Sequence, residues 1–327
     1  MPNFRINKVE PSQWDELVNQ SEQGTVFTST FYLDALNIQY QAMGVYRGDE
    51  LTGGLLLLDL DDSKELQLHD LIIHGGILFR TTSGLKKAKR NSHEYEMNCF
   101  VVEWLTKEYQ SITIAFSPEY KDTRAFLWHE YHNPNPEAKF KVDLRYTSRL
   151  DISDLEENQD NCPIWKNLDI LRKRHMKQAK RESATFHVEP DSIEKLLQFY
   201  RELMKSQGIE INTDKIDSMR NLMQKAIEKS QGILTTTRDH LGNLLYTTFW
   251  VWDQRRAYYL FGAGSVEHKA NYQGTHCFWN SFFYLKQNYQ VNSIDFEGVN
   301  SPKRGVYKMS FGGDLVSYYE IYKGKQK

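Results

Sequence analysis

The segment 257–313 decides the fold, and three of its stretches matter. Residues 257–264 read AYYLFGAG, residues 277–289 are rich in aromatic side chains, and residues 291–313 read VNSIDFEGVNSPKRGVYKMSFGG. These stretches predict a tyrosine-rich strand, a glycine-flanked loop, a helix, and a second strand that ends in Asp-Phe-Glu-Gly. Lys308 then follows an aromatic residue and precedes Phe-Gly-Gly. This strand–helix–strand order is typical of α/β folds, which bind ligands beyond the carboxyl ends of their strands.

The rest of the second half extends this pattern. Apolar residues recur at helical spacing, for example at Ile216, Met219 and Met223, and alternating runs indicate strands. The predicted helices cover 168–182, 191–205, 214–229 and 276–288. The predicted strands cover 184–188, 233–238, 244–253, 257–261, 293–296 and 314–322.

The first half repeats the order of elements. Its predicted strands cover 4–9, 41–46, 51–58, 68–79 and 111–116, and its predicted helices cover 11–20, 31–37 and 94–109. We therefore predict an α/β protein of two tandem domains, each a mixed, mostly antiparallel sheet flanked by helices. The domains are placed at 1–155 and 165–327, because residues 152–162 are acidic and lack an apolar period.

Composition limits the class of protein. The 327 residues exceed the usual length of one domain, roughly 100–200 residues, and a formal net charge of −2 disfavours nonspecific coating of nucleic acid. The three cysteines are far apart without a CxxC pair, and the ten histidines have no carboxylate at a diagnostic spacing, so no metal site is predicted. The N-terminus does not resemble a signal peptide, and no apolar run reaches the ~20 residues of a membrane span. A cytoplasmic location is expected.

Three residues near the last strands suggest acyl-transfer chemistry. Attack on an acyl ester or thioester builds negative charge on the carbonyl oxygen, and a fixed ammonium such as that of Lys308 would stabilise it. A carboxylate would serve as general base toward an amine; Asp295 is our choice, and Glu297 is a neighbouring candidate. The alternative is that Asp295 caps a loop and Lys308 is a solvated charge at a strand edge.

Two clusters of basic residues could bind anions. On the predicted helix 168–182, Arg174, Lys177 and Arg181 fall three and four residues apart, so their charges converge on one face. A bound polyanion would explain this face, and an ordinary solvated helix surface is the alternative. Residues 86–90, KKAKR, form a second cluster that we place in a loop, where phosphate or anionic lipid could bind.

Several motifs together resemble a known family. Trp14 opens a helix, GTVF follows at 24–27, the basic helix carries Arg174, and the chain ends with IDFEG, YK and FGG in that order. This succession resembles the Fem-type peptidyltransferases and the related BioF2-like acyltransferases, which are built on the GNAT fold. The resemblance covers most of the chain and implies two tandem GNAT-like domains.

The resemblance also implies roles for particular residues. Tyr307 and Lys308 match an aromatic–lysine pair to which the family assigns stabilisation of the oxyanion. Arg174 and Lys177 match a region that contributes diphosphate contacts, and Tyr259, like Tyr307, is expected to line the substrate groove.

The glycines match the family less well. Gly262, Gly264 and Gly274 bracket the predicted strand–helix loop, where the GNAT fold cradles a pyrophosphate. The usual Gln or Arg three residues before the first glycine of that signature is missing here. This departure weakens simple use of acetyl-CoA, and glycines needed only for backbone angles are the alternative.

The implied function is N-acyl transfer, with no permanently bound cofactor. The donor would be acyl-CoA or another acyl or aminoacyl carrier, including aminoacyl-tRNA. The acceptor would be an amine of a cell-envelope sugar, peptide or amino-acid intermediate, either a small molecule or one linked to a nucleotide or lipid. A lipid-linked acceptor would bring the protein to the inner membrane surface. A non-catalytic GNAT-like binding module is the main alternative, and a nucleic-acid binder that uses the basic helix is a third.

Overall fold

The computed structural model describes residues 3–58, 63–81, 84–159 and 161–324. The chain forms two compact units, unit 1 with Met1–Arg145 and Ser317–Lys327, and unit 2 with Tyr146–Val316. The strands are β1 (Phe4–Lys8), β2 (Gln41–Arg47), β3 (Glu50–Leu57), β4 (Glu65–Leu66), β5 (Gly76–Phe79), β6 (Ser111–Ala115), β7 (Lys141–Asp151), β8 (Thr185–Val188), β9 (Gly232–Arg238), β10 (Leu244–Trp252), β11 (Ala257–Gly264), β12 (Ser293–Asp295) and β13 (Asp314–Lys323). The helices are α1 (Pro11–Gln20), α2 (Thr30–Ala35), α3 (Lys87–Glu108), α4 (Arg124–Leu127), α5 (Pro163–Asn167), α6 (Ile170–Arg181), α7 (Ile193–Ser206), α8 (Thr213–Glu228), α9 (Gln273–Tyr289) and α10 (Pro302–Met309).

Unit 1 contains two groups of paired strands. β1, β2, β3 and β5 form an antiparallel sheet in that order, with Met43 opposite Leu55 in the β2–β3 pair. β6 pairs in parallel with β4 and antiparallel with β13. α3 places Met97, Val101 and Leu105 in a core that these strands also line.

Unit 2 contains a mixed sheet in which β8, β9, β10 and β11 are antiparallel neighbours. β12 then pairs in parallel with β11, and α9 is the crossover helix that such a pair requires. β7 pairs antiparallel with β12, which places Arg149 opposite Asp295. Asp295, at the acidic end of the second predicted strand, therefore lies on a strand that has a neighbour on each side.

Aromatic side chains fill much of the core of unit 2. Phe278 of α9 lies with its ring centroid 4.6 Å from that of Tyr259, and Phe296 and Phe311 stack near it. Aromatic pairs at these separations add to the free energy gained by burying apolar area. Most aromatic side chains of this half line the core, and Tyr259 itself is buried.

Most of the predicted elements are present in the structure, whereas β4, α4, α5 and α10 were not predicted and the predicted strand 68–79 is reduced to β5. Strand β7 was not predicted, although residues 141–150 alternate between polar and less polar side chains. Residues 317–327 belong to unit 1 and not to the predicted domain 165–327, because Glu320 of β13 pairs with Ala115 of β6. The cluster at 86–90 leads into the first turn of α3, so the loop prediction was wrong. Lys308 lies on α10 and not at a strand edge.

Within the described ranges, no helix has both the length and the apolar character needed to cross a membrane.

Candidate active site

Asp295 ends β12 and is fully buried. Its Oδ1 accepts hydrogen bonds from the Thr147 hydroxyl and, at 2.9 Å, from the Glu297 N–H; its Oδ2 accepts one from Arg149 Nε at 3.0 Å. Both carboxylate oxygens are therefore engaged by residues of β7 and of the turn after β12. This geometry suits a residue that holds the turn in place better than it suits a general base.

Glu297 has the opposite character. Its side chain is buried, and neither carboxylate oxygen has a hydrogen-bond partner among the described residues. Its φ of +59° is left-handed, a conformation that costs energy for a residue with a side chain. Burial, with the nearby charge of Asp295, raises the pKa of the Glu297 carboxyl well above its usual range. A buried carboxyl with a raised pKa and no hydrogen-bond partner has the properties that a proton carrier in catalysis needs.

Lys308 approaches the same turn from α10. Its Nζ donates to the carbonyl oxygens of Glu297 at 3.1 Å and Gly298 at 3.2 Å, and lies 5.3 Å from the ring centroid of Tyr259. Burial lowers the pKa of Lys308 to about 8. The structure thus brings together the three residues that the sequence singled out for chemistry, Asp295, Glu297 and Lys308.

Tyr307 connects this centre to the first turn of α9. A Cβ atom placed on Gly274 would lie 2.8 Å from Tyr307 Oη, so the hydroxyl sits close against the start of that helix. The ring of Tyr307 packs edge-on against Phe278, with centroids 5.6 Å apart. Burial raises the pKa of Tyr307, which keeps the phenol protonated and able to donate a hydrogen bond.

Arg172 of α6 is a site residue that sequence reasoning missed. It is only 7% exposed, its Nη1 donates to Thr275 Oγ1 at 2.7 Å, and its guanidinium carbon lies 4.8 Å from the ring centroid of Tyr307. The nitrogen Nδ1 of His175 lies 3.2 Å from the same hydroxyl. Burial and the charge of Arg172 lower the pKa of His175, which favours its neutral form.

The predicted basic face of α6 lies elsewhere. Arg174, Lys177 and Arg181 are all exposed, whereas Arg172 shares the inward-facing side of the helix with Met176 and Ala179. The structure does not bring the three exposed cations to Lys308. Met176 follows Arg172 by four residues, and Ala179 follows Met176 by three. This helical spacing is the signal that could have identified the buried arginine.

Two of the three predicted loop glycines lie inside a strand. Gly262 and Gly264 belong to β11, where a Cβ would lie 2.4 Å from Tyr259 Oη or 2.3 Å from Gln273 Nε2, respectively. These close approaches explain both glycines without a phosphate. Gly274 alone occupies the first turn of the following helix, so the predicted pyrophosphate loop is not formed by these three residues.

His276, next to Thr275 on α9, has a packing role. Its Nδ1 lies 3.0 Å from Thr237 Oγ1, and burial lowers the pKa of the imidazole to about 4. Within the part of the chain that the structure describes, no group of three or more His, Cys, Asp or Glu side chains could hold a metal ion.

Comparison with known proteins identifies solved structures of similar fold. Neither protein-family models nor curated protein sequences match this chain. Among solved structures, FemX matches with a TM-score of 0.66 at 13% identity, over 96% of this chain and 96% of FemX. A tandem GNAT protein from the clavulanic acid biosynthesis pathway matches with a TM-score of 0.54 at 9% identity, over 99% of this chain and 100% of that one. L-PGS from Bacillus licheniformis matches with a TM-score of 0.53 at 10% identity, over 98% of this chain and 94% of that one.

These similarities span nearly the whole chain and confirm the prediction of two tandem GNAT-like domains. They also confirm, at the level of fold, the resemblance to Fem-type proteins that the motifs indicated. Identities of 9–13% concern the fold alone and carry over no substrate.

Proposed function

We propose that this protein is an N-acyltransferase whose reacting centre is formed by Lys308 and Glu297. The observation that carries the proposal is a half-buried lysine with a lowered pKa close to a buried carboxyl that has no hydrogen-bond partner among the described residues. Such a pair is costly to bury and adds little to stability, so its retention points to chemistry. The tandem GNAT-like fold is compatible with this reaction class.

In the proposed reaction the amine nitrogen of the acceptor attacks the carbonyl carbon of the activated acyl group. Negative charge develops on the carbonyl oxygen, and the ammonium of Lys308 stabilises it in a site of low polarity. The Lys308 Nζ already points toward two carbonyl oxygens, those of Glu297 and Gly298, so an oxyanion would face a donor that is held in position. The bond from the carbonyl carbon to the carrier sulfur or oxygen then breaks.

Glu297 is the proposed proton carrier. Its carboxyl gives a proton to the departing sulfur or oxygen and recovers one from the nitrogen of the new amide, so it begins and ends the cycle protonated. Sequence alone assigns the base to Asp295, but the engaged oxygens of Asp295 favour Glu297 for this step. Asp295 is then a positioning residue that holds the Glu297 N–H.

The donor and acceptor classes follow from the resemblance. We propose an acyl thioester such as acyl-CoA, or an aminoacyl-tRNA, as donor, and an amine on a nucleotide- or lipid-linked sugar, peptide or amino acid of the cell envelope as acceptor. Tyr259 and Tyr307 would line the site of transfer. The reaction would take place in the cytoplasm, next to the inner membrane surface when the acceptor is lipid-linked.

An acyl-transfer assay tests the proposal. The purified protein is given acetyl-CoA or aminoacyl-tRNA with a panel of amino sugars and lysine-containing peptides, and both carrier release and amide formation are measured. Lys308→Met should lower kcat/KM by roughly 10²–10³-fold, because a preorganised donor to the oxyanion is lost. Lys303→Met, on an exposed position of the same helix, should change it less than about two-fold.

Two outcomes would contradict the proposal. Equal activity of Lys308→Met and wild type would remove Lys308 from the reaction. Folded wild-type protein that binds a donor or acceptor but transfers nothing between any pair would favour the binding-module alternative.

A further inference from the structure

We propose that Arg172 and the first turn of α9 form a binding site for a single oxyanion, a carboxylate or one phosphate group, carried by a substrate of the Lys308 centre. The assignment of the ligand to that centre rests on the proposed function. The anion site itself rests on the contacts of Arg172.

Arg172 is a buried cation without a carboxylate partner among the described residues. Leaving a guanidinium in this state is unfavourable unless an anion joins it. Its Nε is buried and makes no hydrogen bond within the described chain. The Nη1 atom is engaged by Thr275 and one face of the guanidinium lies over Tyr307, so the Nε–Nη2 edge remains for a ligand.

That edge has the geometry of an oxyanion site. The Nε–Nη2 edge of arginine donates two parallel hydrogen bonds, which match the two oxygens of a carboxylate or phosphate. The packing against Tyr307 fixes the plane of the guanidinium, and the hydrogen bond to Thr275 fixes its rotation. A ligand would therefore meet a donor pair that is already oriented.

The second component is the start of α9. The helix has 17 residues, and the N–H groups of its first turn lack intrahelical acceptors and carry partial positive charge. Thr275, in that turn, is the residue that Arg172 contacts. The buried arginine and the helix terminus thus converge on one place, where an anion would be attracted by both.

We assign the site to one anionic group and not to a pyrophosphate. Tyr307 Oη lies close over Gly274, and Gly262 and Gly264 are held within β11, so the open glycine-rich loop needed for two phosphates is not formed by these residues. Because the phenol of Tyr307 stays protonated, it can add a third hydrogen bond to a single anion. Lys308 follows Tyr307 in α10, which connects the anion to the reacting centre.

Anion titration tests the site without any turnover. Inorganic phosphate and acetate are the probes, and the dissociation constant is taken from the rise in Tm with anion concentration. Arg172→Gln should weaken binding at least about 10-fold, since a charge-assisted pair of hydrogen bonds is lost. Lys180→Gln, at an exposed cation of the same helix, should change it less than two-fold. Tighter binding of acetate would identify a substrate carboxylate as the natural anion, and tighter binding of phosphate a substrate phosphate.

A second variant covers the case in which Arg172→Gln fails to fold. Arg172→Lys keeps the charge but loses the planar edge, and it should weaken binding several-fold. Equal affinities in wild type and both Arg172 variants, or equal losses with Arg172→Gln and Lys180→Gln, would overturn the proposal. Lys308→Met should retain anion affinity while losing transfer, so the failure of the anion site and that of the proposed reaction are separately visible.

Discussion

Units 1 and 2 differ in the residues at the end of the strand that follows the long helix of each unit. In unit 1, α3 leads to β6, which ends at Ala115 and continues into buried Phe116 and Ser117. In unit 2, α9 leads to β12, which ends at Asp295 and continues into buried Phe296 and Glu297. The phenylalanine is the same in both units, and the residues on either side of it change from neutral to acidic.

This difference supports the proposed location of the reacting centre in unit 2. Among the described residues, the buried Asp, Glu and Arg side chains, namely Arg172, Asp295 and Glu297, all lie in unit 2. Buried charges are unfavourable unless they are paired, so a fold that needs only a core uses neutral residues, as unit 1 does. Unit 1 shows that this strand end folds without acids, which supports the proposal that the acids of unit 2 belong to the reacting centre.

The largest expected effect is a loss of stability when the acid at the end of β12 is removed. Asp295→Ala would leave Arg149, Thr147 and the Glu297 N–H without their shared acceptor. Breaking a buried, hydrogen-bonded pair typically lowers the free energy of unfolding by about 3–5 kcal/mol. Chemical denaturation measures this difference.

Ser117→Ala is the control in unit 1. The Ser117 hydroxyl is buried without a hydrogen-bond partner among the described residues, so its removal should change the free energy of unfolding by less than about 1 kcal/mol. Equal losses of unfolding free energy in the two variants would contradict the contrast between the units, because Asp295 would then stabilise the structure no more than Ser117 does.

The sequence predicts most of the elements and singles out three residues that the structure brings together, and it misses what tertiary pairing decides. Asp295, Glu297 and Lys308 stand out because the residue types match the chemistry and the turn signals around them are strong. Arg149 was not found, because its role depends on the pairing of β7 with β12, which no local pattern fixes. Arg172 was hidden for another reason: a run of cations suggests a solvated face, although one of them lies on the apolar stripe of α6.

The glycines show the same limit. Gly262, Gly264 and Gly274 suggest a loop by composition, yet two of them lie within β11, where side chains approach the backbone closely. Such approaches depend on how side chains are placed in the folded protein, as with Tyr259 beside Gly262 and Gln273 beside Gly264. A sequence pattern alone does not distinguish a glycine that frees the backbone from one that makes room for a neighbour.

A smaller effect of opposite sign is expected at Lys308. Burial lowers its pKa to about 8, below the ordinary 10.5, so the charged form is disfavoured in the folded protein. Lys308→Met should therefore raise the free energy of unfolding at pH 7, by an amount on the order of 2 kcal/mol. Between pH 8 and the ordinary pKa the unfolded chain holds more protons than the folded one, so the wild type gains stability and the advantage of the variant shrinks.

Urea denaturation at pH 7 and pH 10 measures this change, with Lys303→Met as the exposed control. A variant that loses activity and gains stability marks a residue retained for function. A loss of stability at pH 7 would show that Lys308 supports the fold, and its burial would then need no functional explanation.

The most direct test of the central claim, that Lys308 acts as an ammonium toward an oxyanion, is the pH dependence of kcat/KM for acyl transfer. Because the pKa of Lys308 is about 8, activity should fall as pH rises through that value, and the residual activity of Lys308→Met should lack this alkaline limb. A rise through pH 8 that the wild type shows and Lys308→Met lacks would mean that the neutral amine of Lys308 is the active form, which would contradict the account.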